Sequence, residues 1–153
     1  MLAAGRDGVL KGLWFVGQKH FPNTAALASW TEISNRHNGY ALFRKVDNWL
    51  KDYFCGKRSP VDFKVDPDGT AFQKSIWKKL EKIPWGKTTA YGDLSPESAR
   101  AAGGAVGRNP ISIIIPCHRV IGRDGSITGY AGGLERKKFL LELEGINISV
   151  GKS

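Results

Sequence analysis

Cysteine is scarce in this chain, with Cys55 and Cys117 the only two among 153 residues. Two cysteines cannot build the disulfide framework of a small secreted domain, and we expect both thiols to be free. The three histidines, His20, His37 and His118, lack the paired Cys or His spacing that zinc sites use, so we expect no metal site and no cofactor. A disulfide-stapled scaffold and a zinc-finger protein are therefore not expected.

Long apolar runs are missing as well, and no stretch approaches the roughly 20 apolar residues that a transmembrane helix needs. The N-terminus has no basic region followed by an apolar core and a small-residue cleavage site. We therefore expect a soluble protein of the cytoplasm, or of the nucleus in a eukaryote, that does not engage a membrane. A hydrophobic content of 41% is enough for a core in one domain or in two small lobes.

Acidic residues are in deficit, because 23 Lys and Arg stand against 14 Asp and Glu, a formal net charge of +9. Such an excess suits a polyanionic partner, since phosphate contacts release condensed counterions on binding. Charge alone leaves a membrane surface, RNA and DNA open, and solubility by itself also explains it.

The N-terminal half has the patterns of a small mixed lobe. A glycine-rich turn at 5–8 separates two strand-like runs, and the turn sequence 66–69 predicts the end of a lobe. We expect domains at 1–67 and 68–153. The elements predicted in the first are strands at 1–4, 9–16 and 59–67, and helices at 23–30 and 41–54.

The second half is predicted to be mostly helical. Phe72, Ile76 and Leu80 recur every four residues and predict the buried face of a helix over 70–83. Short helices are predicted at 88–94 and 96–106, the second with Ser95 as its N-cap, and together they suggest a helix-turn-helix. The second of these is rich in Ala and Gly, so another backbone can approach it, whether that of a partner or of the protein itself. A last helix is predicted at 134–144.

The segment 111–115 predicts a buried β-strand that ends at Pro116, which places Cys117 at the rim of a sheet. His118 and Arg119 follow directly, and imidazole or cationic neighbours lower the pKa of a thiol and so favour the nucleophilic thiolate. The alternative is that Cys117 is a small core residue, since free cysteines are among the most buried side chains.

A cysteine beside a histidine suggests nucleophilic chemistry, in which a water can bridge the thiol and the imidazole. An imidazole in that role needs a group that holds it in one tautomer, and a carboxylate is the usual one. From the residues alone, Glu135, Glu142 and Glu144 in the last predicted helix serve equally well.

Residues 115–120, Ile-Pro-Cys-His-Arg-Val, match the active-site signature of the O6-alkylguanine-DNA alkyltransferases, and the chain resembles that family over most of its length. The resemblance is most specific from 70 to 145. It implies an α/β (α+β) fold, with an N-terminal lobe of sheet and helices and a mostly helical C-terminal lobe that carries a winged-helix-like helix-turn-helix. Other matching segments are 88–94, 99–105, 109–110, 129–134 and 140–145.

The resemblance further implies a repair protein that flips O6-alkylguanine out of duplex DNA and takes the alkyl group irreversibly onto Cys117, once per molecule. It implies a monomer that binds the minor groove. The catalytic residues it implies are Cys117, His118, Glu144, Tyr91 and Asn109. The DNA-binding residues it implies are Arg100, Ala99, Ala101, Ala102, Gly103, Ser95 and Arg119. The substrate pocket it implies is formed by Tyr130, Ala131, Val120 and Gly132.

The chain departs from the family between Tyr91 and Arg100, where the family usually carries several more residues. Either the turn is shortened here, which compresses the helix-turn-helix, or a loop that the family carries is absent from this sequence. Three alternatives compete with alkyl transfer. An alkyltransferase-like reader binds the lesion but lacks the cysteine, a helix-turn-helix regulator leaves the Cys-His-Arg segment unexplained, and a cysteine hydrolase leaves the basic charge unexplained.

Overall fold

The computed structural model describes residues 1–33 and 39–148, so His37 lies outside the described residues. The fold is mixed α/β, as expected. Strands β1 (Leu2–Arg6) and β2 (Val9–Trp14) form an antiparallel hairpin, and β3 (Lys64–Val65) adds to β2 in parallel. Asp7 and Gly8, at the hairpin turn, both have positive φ (52° and 76°), which matches the right-handed twist of the flanking strands. Of the strand predicted over 59–67, only the two residues of β3 are extended and paired in the structure.

Three helices lie close to their predicted positions: α1 (Thr24–Ala28), α2 (Tyr40–Phe54) and α3 (Ala71–Glu81). The buried face of α3, however, differs from the predicted one. The side chain of Thr70 caps α3 and accepts from the backbone N–H of Gln73. The buried face of α3 is Ile76, Trp77 and Leu80, whereas Phe72, predicted to face inward, is 44% exposed. The reason is Trp77, whose indole N–H donates to the Ala105 carbonyl 2.9 Å away and so sets the rotation of the helix.

The helix-turn-helix is present but short. Residues predicted as the start of its first helix form β4 (Thr89–Ala90) instead, because they pair in parallel with β5 (Val120–Ile121). The first helix, α4 (Tyr91–Leu94), is therefore a single turn, and α5 (Ala99–Gly107) is the second helix. Its N-cap is Ser98, which accepts from the backbone N–H of Ala101, so the prediction of Ser95 as N-cap is wrong.

Residues 111–115 are not a strand, contrary to prediction. Ile111 makes one isolated parallel bridge to Leu13, and the chain then turns. Ile113 has φ +70°, a strained conformation for a β-branched residue, and the N–H of Ile114 donates to the carbonyl of Ser112 across it. A 3₁₀ turn (Cys117–Arg119) leads into β5.

Both predicted lobes contribute to one apolar core. Residues from β2 and α2 join residues from α3, α5 and the 111–120 segment in a single cluster. The last helix, α6 (Leu134–Leu143), ends at Glu144. In the described part of the chain no helix is both long and apolar enough to cross a membrane. The segment 111–120 thus lies where the two halves of the chain meet.

Candidate active site

Cys117 opens the 3₁₀ turn and is only 5% exposed, among the apolar side chains of the core. The expectation of a rim position is therefore wrong, because the expected strand is a turn that runs through the core. Burial raises the pKa of the Cys117 thiol, and this outweighs the opposing effects of Asn109 and Lys137. Both described cysteines are free, as predicted. The resting thiol is protonated and needs an acceptor for its proton.

Asn109 braces the turn that carries Cys117. Its side-chain amide donates to the carbonyls of Ile111 (3.2 Å) and Ile115 (2.8 Å), and its side-chain oxygen accepts from the N–H of Ile111 (3.0 Å). Asn109 is itself buried. These three hydrogen bonds stabilise the strained turn around Ile113 and so fix the position of Cys117, which follows it.

His118 is fully buried, and its Nε2 lies 2.7 Å from Oε1 of Glu144. Burial lowers the pKa of His118, although Glu144 opposes this. Its other ring nitrogen, Nδ1, is buried with no hydrogen-bond partner in the structure. Of the three glutamates that the sequence left open, Glu144 meets the imidazole, while Glu142 pairs with Lys138 at the surface.

Glu144 is a buried carboxylate surrounded by donors. Burial alone raises the pKa of Glu144, but the hydrogen bonds from His118 and Arg119 outweigh it and lower the pKa to about 2. Arg119 donates through Nε to Oε2 (2.8 Å) and through Nη2 to Oε1 (2.9 Å). Its Nη1 donates to the Ile83 carbonyl. The carboxylate is therefore ionised at neutral pH and has no proton to donate during the reaction.

Arg119 had been expected to activate the thiol and to contact DNA. Its side chain is only 11% exposed and is committed to Glu144. Both expectations are corrected, because a guanidinium held by two carboxylate oxygens and a carbonyl has no free face for phosphate. Its place in the structure is to anchor the carboxylate that orients His118.

Tyr53 belongs to this cluster, although no motif in the sequence marks it. It lies on α2, and its hydroxyl donates to Oε1 of Glu144 at 2.8 Å and lies 3.4 Å from Nε2 of His118. The side chain is 2% exposed. The helical pattern of α2 predicts that Tyr53 faces inward, but only the three-dimensional structure shows what its hydroxyl meets.

A cavity of about 660 Å³ lies between the helix-turn-helix and the loop before α6. Tyr91 lines it, and the Tyr91 hydroxyl donates to the carbonyl of Thr128 at 3.1 Å. Tyr130 lines it too, and its hydroxyl is buried with no partner in the structure. The full lining is Lys19, His20, Tyr91, Ala99, Arg100, Gly103, Val106, Gly107, Thr128, Gly129, Tyr130 and Ala131.

Lys137, which no sequence motif marks, secures the wall of this cavity. Its fully buried ammonium donates to the carbonyls of Val120, Thr128 and Gly129. Burial lowers the pKa of Lys137 to about 8. A lysine in an amphipathic helix is usually a surface residue, so only its position on the inner face of α6 could have signalled this role.

The remaining predicted residues divide into exposed and buried groups. Ala99, Arg100 and Ala101 are exposed on α5, and Gly103 is half-buried. Ala102 is fully buried and faces the core, so its predicted DNA contact is corrected, and Ser95 is 8% exposed in the linker before α5. Of the predicted pocket residues, Ala131 lines the cavity, while Gly132 lies under the Tyr130 ring. The side chain of Val120 is fully buried in the core, so only its backbone is left to form part of a pocket wall.

A segment of the N-terminal half reaches the same cavity. Lys19 and His20 line its mouth, and the backbone N–H of Lys19 donates to the Ala131 carbonyl at 2.9 Å. The buried side chain of Gln18 accepts from the N–H of Phe15 and donates to the Lys19 carbonyl, which holds the loop in place. No sequence motif marks this contribution, because the two segments are distant along the chain.

The arrangement provides a protonated thiol, a neutral imidazole with a free acceptor nitrogen, and a cavity with phenolic groups on its wall. Among residues 1–33 and 39–148, no cluster of three or more His, Cys, Asp or Glu side chains could hold a metal ion. The geometry therefore suits nucleophilic attack by a thiolate that forms only when the imidazole takes its proton.

Comparison with known proteins finds relatives along almost the whole chain. Residues 71–146 match the family model for the DNA-binding domain of 6-O-methylguanine DNA methyltransferase. A methylated-DNA--protein-cysteine methyltransferase of Methanosarcina mazei is 45% identical over 156 residues, which cover 97% of this chain and 92% of the relative. One from Mycolicibacterium paratuberculosis is 44% identical over 146 residues, with 92% and 83% covered. The crystal structure of Mycobacterium tuberculosis OGT in complex with DNA matches with a TM-score of 0.80 at 40% identity, over 93% of this chain and 84% of that one.

Proposed function

This chain belongs to the methylated-DNA--protein-cysteine methyltransferase family and is a DNA repair alkyltransferase, and we propose that Cys117 accepts the alkyl group from O6-alkylguanine in duplex DNA. The observation that carries this proposal is that Cys117 and His118 are adjacent on one 3₁₀ turn, both buried, and that Nδ1 of His118 has no hydrogen-bond partner in the structure. Burial raises the pKa of Tyr91 and of Tyr130, which both line the cavity, and the nearby Cys117 adds to the rise. We infer that a substrate in the cavity reaches the thiol past these two tyrosines. A base in a duplex must therefore be extruded to reach it.

The proton of the thiol passes to His118. Glu144 is ionised and has no proton to give, so Nε2 of His118 carries the hydrogen of the 2.7 Å bond, and neutral His118 presents Nδ1 as an acceptor. We propose that a water carries the proton from Cys117 to Nδ1. Glu144 then stabilises the imidazolium that forms, as a carboxylate does for a general-base histidine.

The thiolate of Cys117 attacks the alkyl carbon, so that a C–S bond forms as the bond from that carbon to O6 breaks. Guanine leaves with negative charge on O6 and the ring nitrogens. Tyr91, which lines the cavity, donates a hydrogen bond or its proton to a ring nitrogen of the leaving base. If Tyr91 gives its proton, the tyrosinate regains one from the His118 imidazolium; if Tyr91 gives only a hydrogen bond, the imidazolium proton passes to the guanine anion through solvent. In both cases the site ends neutral with one thioether formed.

The reaction runs once per molecule. A thioether has no good leaving group, and the other cysteine, Cys55, is exposed at the end of α2 and not bonded to Cys117. Regeneration therefore has no thiol in the site to carry it out.

The exposed part of α5 is the proposed DNA contact. Ala99, Ala101 and Gly103 give a surface of small side chains that a narrow minor groove can admit. Arg100 is exposed beside the cavity and suits the position vacated by the extruded base. Minor-groove contacts carry little sequence information, which fits a lesion that arises anywhere in DNA.

We also propose that the protein acts as a monomer, in the cytoplasm or in the nucleus of a eukaryote. A single chain contributes every group of the site described above, and its excess of basic residues suits association with a long polyanion. Sedimentation of the free protein and of its complex with a short duplex tests the monomer.

The decisive experiment measures the intact mass of the protein after incubation with a duplex that contains one O6-methylguanine. We expect a gain of one methyl group, and no gain in Cys117→Ser, which keeps its affinity for the duplex. Binding without a mass change in the wild-type protein contradicts transfer and favours a lesion reader. Repeated hydrolysis of a small ester favours a cysteine hydrolase.

A further inference from the structure

The buried cluster around Glu144 contains a side chain from the other half of the molecule. Tyr53 stands on α2, 91 residues before Glu144, and its hydroxyl donates to the carboxylate at 2.8 Å. We propose that Tyr53 is a positioning residue for alkyl transfer: by occupying Oε1 of Glu144, its hydroxyl fixes the carboxylate that keeps the hydrogen of His118 on Nε2. This inference rests on the proposed function of Cys117 and His118.

The direction of each hydrogen bond follows from the charge of the carboxylate. With its pKa at about 2, Glu144 is an acceptor only. The hydroxyl of Tyr53 and Nε2 of His118 must therefore both donate to Oε1. The 3.4 Å separation between these two donors is a contact in which the Tyr53 oxygen is at most a weak second acceptor for the Nε2 hydrogen.

The two carboxylate oxygens of Glu144 accept hydrogen bonds from different sets of donors. Oε1 receives the hydroxyl of Tyr53, Nε2 of His118 and Nη2 of Arg119, while Oε2 receives Nε of Arg119 and, at 3.5 Å, the N–H of Gly86. The paired bonds from Arg119 pull the carboxylate toward the guanidinium. The Tyr53 hydroxyl approaches Oε1 from α2, a different element, and so holds that oxygen within reach of His118.

Without the hydroxyl, the carboxylate is free to turn toward Arg119, and its bond to Nε2 lengthens. The neutral imidazole then loses the contact that favours its Nε2–H form, and part of the population carries the hydrogen on Nδ1 instead. That tautomer cannot accept the proton of the thiol. The consequence is a slower reaction in a protein whose cavity and cysteine are unchanged.

The ring of Tyr53 is held independently of its hydroxyl, which makes the inference testable. It stacks on Trp49 with ring centroids 5.5 Å apart, and it packs edge-on against Phe54 (5.4 Å) and Trp85 (5.2 Å). Tyr53→Phe keeps these contacts and removes only the donor. Tyr40→Phe, on the exposed start of the same helix, is the matched control.

Two measurements on the full chain test the role. The first is the ¹⁵N spectrum of His118 in protein labelled at histidine, which reports the tautomer without requiring any reaction. The second is the single-turnover rate of methyl transfer from a duplex with O6-methylguanine. The charged groups that face His118 are Glu144, Arg119 and Lys137, and all are unchanged in both variants.

We expect wild type and Tyr40→Phe to show one tautomer with hydrogen on Nε2, and Tyr53→Phe to show a mixture and to transfer methyl about tenfold more slowly or worse. A Tyr53→Phe spectrum identical to wild type overturns the inference, whatever the rate. A shifted spectrum with an unchanged rate also overturns it. If wild type transfers no methyl group, the proposed function fails, whereas the spectra still decide whether Tyr53 sets the tautomer.

Discussion

Two charged regions of this protein lie side by side and are built in opposite ways. Around Glu144, one carboxylate meets Arg119, His118 and Tyr53 in a region that is closed to solvent. At the mouth of the cavity, Lys19 and Arg100 are exposed, and neither has an ion-pair partner within residues 1–33 and 39–148. The first region is satisfied internally, whereas the second has its charges free.

The difference separates chemistry from recognition. A buried charge must be paired in the folded state, so the Glu144 cluster is organised before any substrate arrives. An exposed cation is solvated and needs no internal partner, so the rim can give its charge to a phosphate. Mutations in the first region should therefore change stability and proton transfer, and mutations in the second should change only the binding of DNA and the extrusion of the base.

Of the substitutions considered for the two regions, Glu144→Ala should have the largest effect, a loss in the free energy of unfolding. Removing the carboxylate leaves the guanidinium of Arg119 buried and unpaired, which costs about 3 to 5 kcal/mol. Glu142→Ala, which breaks only a surface pair with Lys138 at 3.8 Å, should change the free energy of unfolding by less than about 0.5 kcal/mol. Urea unfolding of both variants checks this. Equal stability of the two variants would show that the buried pair does not hold the fold.

Lowering the pH should reduce the stability of the folded protein, because Glu144 becomes protonated. Its folded pKa is about 2, below its ordinary 4.5, so the stability it contributes is present above pH 4.5 and is lost as the pH falls toward 2. The loss is on the order of 3 kcal/mol. His118 acts in the same direction at higher pH, because its lowered pKa lets the unfolded chain bind a proton first, below about 6.5.

Glu144→Gln separates these two contributions. In that variant the loss of stability between pH 4.5 and 2 should shrink, while the loss that begins near pH 6.5 remains. Melting temperatures measured across this range in both proteins provide the check. Parallel curves over the whole range would contradict the assignment of the acid limb to Glu144.

The sequence predicted the helices well because their signals are local. The structure confirms α3 (Ala71–Glu81) and α6 (Leu134–Leu143) close to the predicted bounds of 70–83 and 134–144. The segment 111–115 was mispredicted because its apolar β-branched run favours a strand, whereas Asn109 folds it into turns by bonding the carbonyls of Ile111 and Ile115. A side chain that overrides local preference leaves no periodic signal.

The site was predicted through the resemblance, and the residues that no motif marks were missed. Tyr53, Lys137 and Lys19 reach the site from α2, α6 and the loop after β2, and only the packing of these elements brings them together. The assignment of Arg119 to DNA came from the resemblance. Its burial against Glu144 depends on how α6 ends, which the sequence around Arg119 does not specify.

A smaller effect, confined to duplex substrates, is expected at the rim from Arg100→Ala. If Arg100 fills the space of the extruded base, its loss should slow methyl transfer from a paired lesion by about tenfold to a hundredfold, because extrusion costs a few kcal/mol. Transfer from the free base O6-benzylguanine should be unchanged. Arg44→Ala, an exposed arginine on α2, is the control for charge. An equal loss of affinity for all duplexes, with or without a lesion, would instead indicate a phosphate contact.

The smallest effect is expected from Lys19→Ala, because one solvated cation contributes one phosphate contact at most. Lys19 and Arg100 line the same cavity, and the backbone N–H of Lys19 donates to the Ala131 carbonyl. Its removal should lower the slope of log affinity against log salt by about 0.9, so that the variant binds undamaged duplex more weakly at low salt and almost normally at high salt. Lys64→Ala, an exposed lysine on β3, removes the same charge away from this cavity and should leave the slope unchanged. If both substitutions lower the slope equally, attraction depends on total charge, and the rim is not a distinct recognition surface.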